Sequence, residues 1–236
     1  MMKKVVLVTG ASSGIGLSIA NYLHFQKKYI VYGTSRKSNN SSDFSFNLVE
    51  LDVTDKSSIK NCITDILKKE SRIDILINNA GVGITGPLEE TPTSEINKHL
   101  QTNVIGPILL IKEVLPSMRS GKNGVIINIT SIAGEIATPF RSVYSGGKAA
   151  LEIISETLAM EVRNFGIDVV SIAPGDFKTN ISKRRFHSPV IEKSDYKSYA
   201  ESLKKMNLGV NKGSDPEKIA KLVSNILLKK RHKIRY

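Results

Sequence analysis

The stretch that decides the fold reads Val5-Val6-Leu7-Val8-Thr9-Gly10-Ala11-Ser12-Ser13-Gly14-Ile15-Gly16. A short apolar run ends in a glycine-rich turn, and residues with helical period follow it. In such a turn, backbone N–H groups approach a pyrophosphate at the positive end of the helix. The stretch therefore predicts a strand at 4–9, a helix at 14–27 and a phosphate site between them, with a merely tight connection as the alternative.

The rest of the chain repeats this alternation of short apolar runs and longer helical stretches. Further strands are predicted at 29–34, 46–51, 73–78, 124–130 and 167–173, and further helices at 55–69, 93–118, 142–165, 195–207 and 215–229. The runs are rich in Val and Ile, which is typical of strands buried between two helix layers. The pattern predicts an α/β fold of the Rossmann type, a doubly wound parallel sheet with helices on both faces, in a single domain over residues 1–236.

Three local signals refine these boundaries. Pro107 lies inside the stretch 93–118, so this helix is expected to kink or divide near Ile105-Gly106. The sequence Asp215-Pro216-Glu217 is typical of an N-cap followed by proline at the first helical position. The segment from Lys37 to Asp43 is rich in Ser and Asn, and it is predicted to be a surface loop.

Composition argues against several classes of protein. Cys62 is the only cysteine, so no internal disulfide forms, and the paired Cys and His ligands of a structural zinc site are missing. No apolar run reaches the roughly 18 residues of a membrane helix. The net charge of +12 is spread along the chain without a basic, aromatic-interleaved stripe, which argues against a nucleic-acid partner. These features predict a metal-free cytoplasmic protein, and its histidines are expected at the surface: His24, His99, His187 and His232.

The end of the second predicted strand indicates which dinucleotide the turn would bind. About 20 residues after the glycines, an acidic side chain would bind the ribose hydroxyls of NAD. The chain has Gly33-Thr34-Ser35-Arg36 there, with no acidic residue. A serine hydroxyl beside a guanidinium suits a 2′-phosphate, which arginine can bind with two hydrogen bonds. Ser35 and Arg36 therefore predict NADP(H), and the alternative is that Arg36 is a solvated surface residue.

Further motifs follow in order along the chain. They are Leu51-Asp52-Val53-Thr54, then Asn78-Asn79-Ala80-Gly81, then Asn103, Ser131, Tyr144 and Lys148, and finally Pro174-Gly175 with Thr179. Together with the glycine-rich turn, these motifs resemble those of the short-chain dehydrogenase/reductase family over nearly the whole chain. The resemblance implies a catalytic tetrad of Asn103, Ser131, Tyr144 and Lys148. Together with Ser35 and Arg36, the expected cofactor-binding residues are Gly10, Ser12, Ser13, Gly14, Ile15, Gly16, Asp52, Val53, Asn79, Ala80, Gly81, Tyr144, Lys148, Pro174, Gly175 and Thr179.

Tyr144 and Lys148 lie four residues apart in a helical stretch, so their side chains share one face, one turn apart. An ordinary tyrosine is a poor base at neutral pH, but a nearby ammonium stabilises its phenolate form. Proton exchange then becomes efficient in both directions. Ser131, at the end of a strand, places a hydroxyl where negative charge develops on a substrate oxygen. Taken singly, each of these residues has an ordinary structural role as the alternative.

The family resemblance supplies the remaining roles. It implies that Lys148 also binds the nicotinamide ribose and that Asn103 holds a water linking the lysine to solvent. It implies an NADP(H)-dependent oxidoreductase that transfers hydride between nicotinamide and a ketone or secondary alcohol, with Tyr144 as general acid and base. Two other hypotheses stay open: a non-catalytic NADP(H)-binding regulatory or sensor protein, and an epimerase or dehydratase on the same fold. A homodimer or homotetramer is expected, with the helices at 93–118 and 142–165 as contacts.

The substrate site is expected beyond the strand ends, with a substrate loop over about 176–211. Its predicted apolar lining favours a lipophilic carbonyl compound, and consists of Phe140, Val143, Phe177, Ile181 and Phe186. Four basic residues of the loop are either solvated or meet an anionic substrate tail: Lys178, Lys183, Arg184 and Arg185.

Two features depart from the family pattern. Ser145-Gly146-Gly147 stands between the tetrad Tyr and Lys, where the family more often has alanine and serine. Each glycine lowers helix propensity by about 1 kcal/mol relative to alanine, but small residues permit close approach of the cofactor or a neighbouring helix. The sequence ends at Ile234-Arg235-Tyr236, where the family's last strand begins, so this strand is predicted to be missing or very short.

Overall fold

The computed structural model describes residues 2–37, 43–190, 194–229 and 231–236. Its centre is a parallel sheet of six strands in the order β3-β2-β1-β4-β6-β7. These strands are β1 (Lys4–Val8), β2 (Tyr29–Ser35), β3 (Asn47–Glu50), β4 (Ile75–Asn78), β6 (Gly124–Ile129) and β7 (Ile167–Ile172). All six predicted strands are present, and the predicted doubly wound α/β fold in a single domain is confirmed.

Helices cover both faces of this sheet. The helices of the described residues are α1 (Gly14–Phe25), α2 (Lys56–Glu70), α3 (Thr93–Leu100), α4 (Gly106–Ser120), α5 (Ser142–Val162), α6 (Ile181–Arg184), α7 (Tyr199–Lys212) and α8 (Glu217–Leu227). Of these, α1 and α8 pack on one face, and α2, α4 and α5 pack on the other. Alternate side chains of β1 point to opposite faces, as the strand period requires. Val6 and Val8 pack towards α1 and α8, while Val5 and Leu7 pack towards α2 and α4. The sheet is therefore buried on both sides, and its carboxyl edge stays open for a ligand.

The predicted helix at 93–118 is divided. One π-helical turn, Gln101–Ile105, separates α3 from α4 and ends at the predicted division point. Pro107 stands in the first turn of α4, where a missing N–H is tolerated. The start of α8 differs by one residue from the prediction, because Pro216 is the N-cap. Asp215 still serves the helix end, since its Oδ1 accepts a hydrogen bond of 2.8 Å from the backbone N–H of Glu217.

Two short strands were not predicted, and neither was the short helix α6. The strands β5 (Ile84–Thr85) and β8 (Phe186–His187) form a separate parallel pair. This pair ties the substrate loop to the segment after β4, because the backbone N–H of Phe186 donates to the Gly83 carbonyl at 3.0 Å. Two-residue strands have too little periodicity to be recognised in a sequence.

The residues at the end of the sequence lie along β7. The N–H of Ser171 donates to the Ile234 carbonyl at 2.7 Å, and the N–H of Tyr236 donates back to the Ser171 carbonyl at 3.0 Å. Arg235 forms an ion pair of 3.2 Å with the buried carboxylate of Glu152. A very short seventh segment thus extends the sheet at this edge. Most of the predicted loop from Lys37 to Asp43 lies outside the described residues, and among the described helices none is long and apolar enough to cross a membrane.

Candidate active site

The glycine-rich turn joins β1 to α1 at the carboxyl edge of the sheet. Gly10 and Gly14 have φ angles of 66° and 58°, a region that disfavours side chains. A Cβ on Gly16 would lie 2.4 Å from the Gly10 carbonyl oxygen, so the turn is too tight for any other residue. No side chain caps the N-terminus of α1, whose N-cap residue is Ser13, and its first N–H groups point into the turn. This arrangement fits a pyrophosphate, which would accept hydrogen bonds from those N–H groups.

Thr9 and Asn79 join the turn to the end of β4. The Thr9 hydroxyl accepts hydrogen bonds from the backbone N–H groups of Asn79 and Ala80 at 2.9 and 3.0 Å. The Asn79 amide donates to the Thr9 carbonyl at 2.9 Å. A Cβ on Gly10 would lie 2.9 Å from the Cα of Ala80, so the two segments are in direct contact. No role was predicted for Thr9, although it stands between the first strand and the first glycine.

Ser35 and Arg36 lie beside the same turn, at the end of β2. The preceding residue, Thr34, accepts hydrogen bonds from the N–H groups of Gly10 and Ala11 at 3.2 and 2.8 Å. Arg36 itself is exposed. This places an unburied guanidinium at the edge of the proposed cofactor site, where an anionic group of a ligand can reach it.

Asp52 and Val53 follow β3. Partial burial opposes ionisation of Asp52, but hydrogen bonds from Thr54 and the nearby Arg36 lower the pKa of its carboxyl overall. The Asp52 carboxylate accepts from the Thr54 N–H at 2.8 Å and from its hydroxyl at 2.6 Å. The Val53 carbonyl would lie 2.7 Å from a Cβ on Gly106, so the start of α4 packs closely on this segment. The two hydrogen bonds from Thr54 fix the side chain of Asp52 within its own loop.

Lys148 is the buried centre of the site. Its Nζ donates a hydrogen bond of 2.8 Å to the Ile129 carbonyl at the end of β6. Burial lowers the pKa of this lysine to about 8, because a low-dielectric environment disfavours the ammonium. Tyr144 precedes it by one helical turn and is only 8% exposed. Ser131 follows β6 directly, and its hydroxyl accepts from the Ala133 N–H at 3.2 Å.

Asn103 occupies the π-helical turn between α3 and α4. Its Oδ1 accepts from the Val82 N–H at 2.8 Å, and its Nδ2 donates to the Val82 carbonyl at 2.9 Å. A Cβ on Gly81 would lie 3.3 Å from the same Oδ1. The amide of Asn103 thus fixes the backbone that follows Asn79-Ala80-Gly81.

His99 is buried in this cluster, so the expectation that all the histidines lie at the surface is wrong. The side chain is 1% exposed, and its ring centroid lies 5.7 Å from that of Tyr144. Its Nδ1 is 3.4 Å from the amide nitrogen of Asn103. Burial and the nearby Lys148 lower the pKa of His99 to about 4, against a hydrogen bond with the Val82 backbone. His99 is therefore neutral at physiological pH.

The segment after β7 closes the site from the other side. The Pro174 carbonyl accepts from the Ile132 N–H at 3.1 Å, next to Ser131. A Cβ on Gly14 would lie 3.3 Å from the methyl of Thr179. Arg184, in α6, donates to the Ser13 hydroxyl at 3.0 Å, so the substrate loop also touches the glycine-rich turn.

One of the residues predicted to line the apolar part of the site, Phe177, lies elsewhere. Val143 and Phe186 pack against a buried cluster of Ile84, Ala133 and Tyr144. Phe177 instead packs against the core on the α1 and α8 side, and its backbone forms an isolated β-bridge with Ser214. Among the described residues, no group of His, Cys, Asp or Glu is arranged to hold a metal ion.

A doubly wound sheet with a polar cluster at its carboxyl edge is typical of nucleotide-binding α/β proteins. The family model described as short chain dehydrogenase matches residues 4–189. The chain belongs to the short-chain dehydrogenase/reductase family of oxidoreductases.

Individual relatives span almost the whole chain. A 3-ketodihydrosphingosine reductase of Bacteroides thetaiotaomicron is 38% identical over 232 residues, which cover 98% of this chain and 86% of the relative. The crystal structure of a short-chain dehydrogenase from Streptomyces avermitilis has 35% identity and a TM-score of 0.90, covering 100% of this chain and 88% of that one. ElxO with NADP bound has 29% identity and a TM-score of 0.80, covering 99% and 95%.

Proposed function

We propose that the protein is an NADP(H)-dependent oxidoreductase that transfers hydride between nicotinamide and a ketone or secondary alcohol. The observation that carries this proposal is the burial of Lys148 one turn from Tyr144. Among the described residues, no carboxylate lies within ion-pair distance of this ammonium. An unpaired buried charge opposes folding, so its presence indicates a functional site.

In reduction, the Tyr144 hydroxyl donates its proton to the carbonyl oxygen, and in oxidation its phenolate takes the proton from the alcohol. The Lys148 ammonium stabilises that phenolate. The Ser131 hydroxyl donates a hydrogen bond to the same substrate oxygen. When bound, the nicotinamide supplies or accepts the hydride. Asn103 keeps the wall of the site in place through its two hydrogen bonds with Val82, and it would hold the water that links Lys148 to solvent.

The turn residues fit the cofactor. Backbone N–H groups of Ser12, Ser13, Gly14, Ile15 and Gly16 would hold the pyrophosphate, and Ala80 and Gly81 would border the adenosine half. Thr179 with Pro174-Gly175 would face the nicotinamide. Ser35 and Arg36 would bind the 2′-phosphate, and ElxO, solved with NADP, supports this choice.

The preference for NADP(H) has its own test. Replacing both Ser35 and Arg36 by Asp is expected to invert the ratio of kcat/KM for NADPH to that for NADH. Two carboxylates repel the 2′-phosphate and accept hydrogen bonds from the ribose hydroxyls of NAD. Lys37→Asp, a charge change at the next exposed position, is the control. An unchanged preference for NADPH in the double variant would contradict the assignment of the 2′-phosphate to Ser35 and Arg36.

The substrate is proposed to be a ketone with an apolar part, since Ile84, Val143 and Phe186 pack in an apolar cluster with Tyr144. The relative named 3-ketodihydrosphingosine reductase supports reduction of a keto compound. A homodimer or homotetramer in the cytoplasm remains our prediction for its assembly and location.

The catalytic assignment is tested by screening ketones for NADPH oxidation with the wild type and with Tyr144→Phe. Loss of the proton donor is expected to lower kcat by about 100- to 10,000-fold. The Kd for NADPH, followed by nicotinamide fluorescence, should stay within about threefold of wild type. A sensor protein would bind NADPH without oxidising it in the presence of any ketone, and turnover that survives Tyr144→Phe would exclude this mechanism.

A further inference from the structure

Two arginines from different parts of the chain interact electrostatically with Tyr144. Arg141, the N-cap residue of α5, holds its guanidinium carbon 4.6 Å from the centroid of the Tyr144 ring. Arg185 belongs to the substrate loop, between α6 and β8. Burial and repulsion from Arg141 lower the pKa of Arg185, against the opposite influence of Tyr199, Asp176 and Tyr144. The two cations are therefore close enough to repel each other.

Arg185 differs from the other basic residues of its loop. Lys178 and Lys183 are exposed, and Arg184 binds the Ser13 hydroxyl at the glycine-rich turn. Arg185 is half-buried, and a Cβ on Gly83 would lie 2.6 Å from its own Cβ. Of the four cations, Arg185 is the least exposed.

The guanidinium of Arg185 is only partly satisfied. Its Nη2 donates to the side-chain oxygen of Asn207, but its Nε is buried without a hydrogen-bond partner among the described residues. Within the same residues, neither Arg185 nor Arg141 has a carboxylate at ion-pair distance. Asp176 influences Arg185 only from further away.

This arrangement is unfavourable unless a ligand completes it. Two like charges in a partly buried site repel each other, and an unpaired buried donor adds its own desolvation penalty. An anion placed between the two groups would remove both penalties. The planar, multiple donors of arginine suit a carboxylate or a phosphate especially well.

We propose that Arg141 and Arg185 form an anion subsite, and that the substrate is a ketone carrying an acidic group which this subsite binds. The inference rests on the proposed function, because it places the ketone at Tyr144. The apolar surface of Ile84 and Phe186 would then contact the chain between the ketone and the acid. A carboxylate and a phosphate ester share the required chemistry, and the experiment separates them.

The first measurement compares three substrates with NADPH: an oxooctanoate whose ketone lies near the far end of the chain, its methyl ester, and a keto alkyl phosphate of the same length. We expect wild-type kcat/KM for at least one of the two anions to exceed that for the neutral ester by about 10- to 100-fold, the worth of a charge-assisted hydrogen bond. Equal turnover of the ester and both anions overturns the subsite and leaves the proposed function standing. No turnover of any ketone counts against the proposed function.

The second measurement uses Arg141→Gln, Arg185→Gln and the control Lys183→Gln. Each arginine variant should lose about 10- to 100-fold in kcat/KM for the preferred anion and less than threefold for the ester. Arg185→Lys should restore only part of the loss, because it keeps the charge without the planar donors. Equal losses on anion and ester would mean that the arginines act on Tyr144 or on folding, and would overturn the subsite. A weakened Kd for NADPH would instead assign them to the cofactor phosphates.

A third measurement decides the subsite without turnover. Octanoate, octanamide and octyl phosphate are titrated into the NADPH complex while nicotinamide fluorescence is followed. Octanoate or octyl phosphate should bind at least tenfold more tightly than octanamide, and Arg185→Gln should remove that difference. Equal binding of the acids and the amide to the wild type rejects the subsite, whatever the fate of the proposed function.

Discussion

His99 and Gly147 are in direct contact across the two halves of the site: a Cβ on Gly147 would lie 2.9 Å from Nε2 of the buried His99 ring. The glycine stands next to Lys148, at a position where the family more often has a larger residue. The ring fills the space that a side chain at 147 would take. The contact with His99 therefore explains the glycine at position 147. Nothing lies within 4 Å of a Cβ on Gly146, so the structure does not explain the glycine at that position.

Gly147→Ser is expected to lower the free energy of unfolding by about 1–3 kcal/mol, because the added atoms overpack a buried contact. The double variant with His99→Ala should recover most of this loss, since it empties the space. Gly146→Ala is the matched control, and it should stabilise α5 by up to about 1 kcal/mol through helix propensity. Urea unfolding measures all four proteins. Equal free energies of unfolding for Gly147→Ser and Gly146→Ala would mean that the contact between His99 and Gly147 does not affect stability.

The burial of His99 predicts how stability depends on acid. Its pKa falls from 6.5 to about 4 in the folded state, so the unfolded chain binds the proton first as the pH drops. Between these two values the free energy of unfolding decreases with falling pH by up to about 1.4 kcal/mol per unit from this group alone. His99→Gln should unfold with a shallower dependence between pH 6.5 and 4, while the exposed His187→Gln should match the wild type. Identical slopes in all three proteins would contradict a neutral buried ring.

The first strand and the glycine-rich turn could be predicted because their signals are local. Val5 to Val8 are apolar at successive positions, and Gly10 and Gly14 follow directly. Tyr144 and Lys148 could also be placed side by side, because residues four apart in a helix share one face. These features depend on neighbours in sequence rather than on contacts across the fold.

The burial of His99 and the contacts of Arg185 could not be predicted from the sequence. The sequence around His99 is polar, and its partners Gly147 and Lys148 come from another helix. A histidine in a polar helix is indistinguishable from a surface residue until the packing is known. Arg185 stands among other cations, and only its contacts with Gly83 and Asn207 separate it from them.

Lys148 is expected to reduce stability while it supports catalysis. The unfolded chain keeps this proton up to a pKa near 10.5, whereas the folded protein loses it at about 8. Over that interval the free energy of unfolding rises with pH, because the unfolded state binds more protons. Lys148→Met should therefore gain about 1–2 kcal/mol at pH 7, and the gain should shrink by pH 10. Its NADPH oxidation should fall to background.

The control for Lys148→Met is Lys112→Met, a change at an exposed position of α4. It removes the same charge without relieving burial, so its stability should stay within about 0.5 kcal/mol of the wild type at both pH values. Chemical denaturation at pH 7 and pH 10 measures the free energy of unfolding of the wild type and both variants. A destabilised Lys148→Met at pH 7 would mean that the hydrogen bond to Ile129 outweighs the burial of the charge.

We expect the outward face of α5 to form a contact between two copies of the chain. Ile153 and Met160 are 58% and 69% exposed, and their spacing of two turns puts them on the same face. Exposed apolar side chains aligned in this way mark contacts between proteins. Replacing both with Glu should turn the expected dimer or tetramer into a smaller species by light scattering after gel filtration. Phe25→Glu, which removes an equally exposed side chain at the end of α1, should leave the mass unchanged. A wild-type mass equal to one chain would exclude this contact.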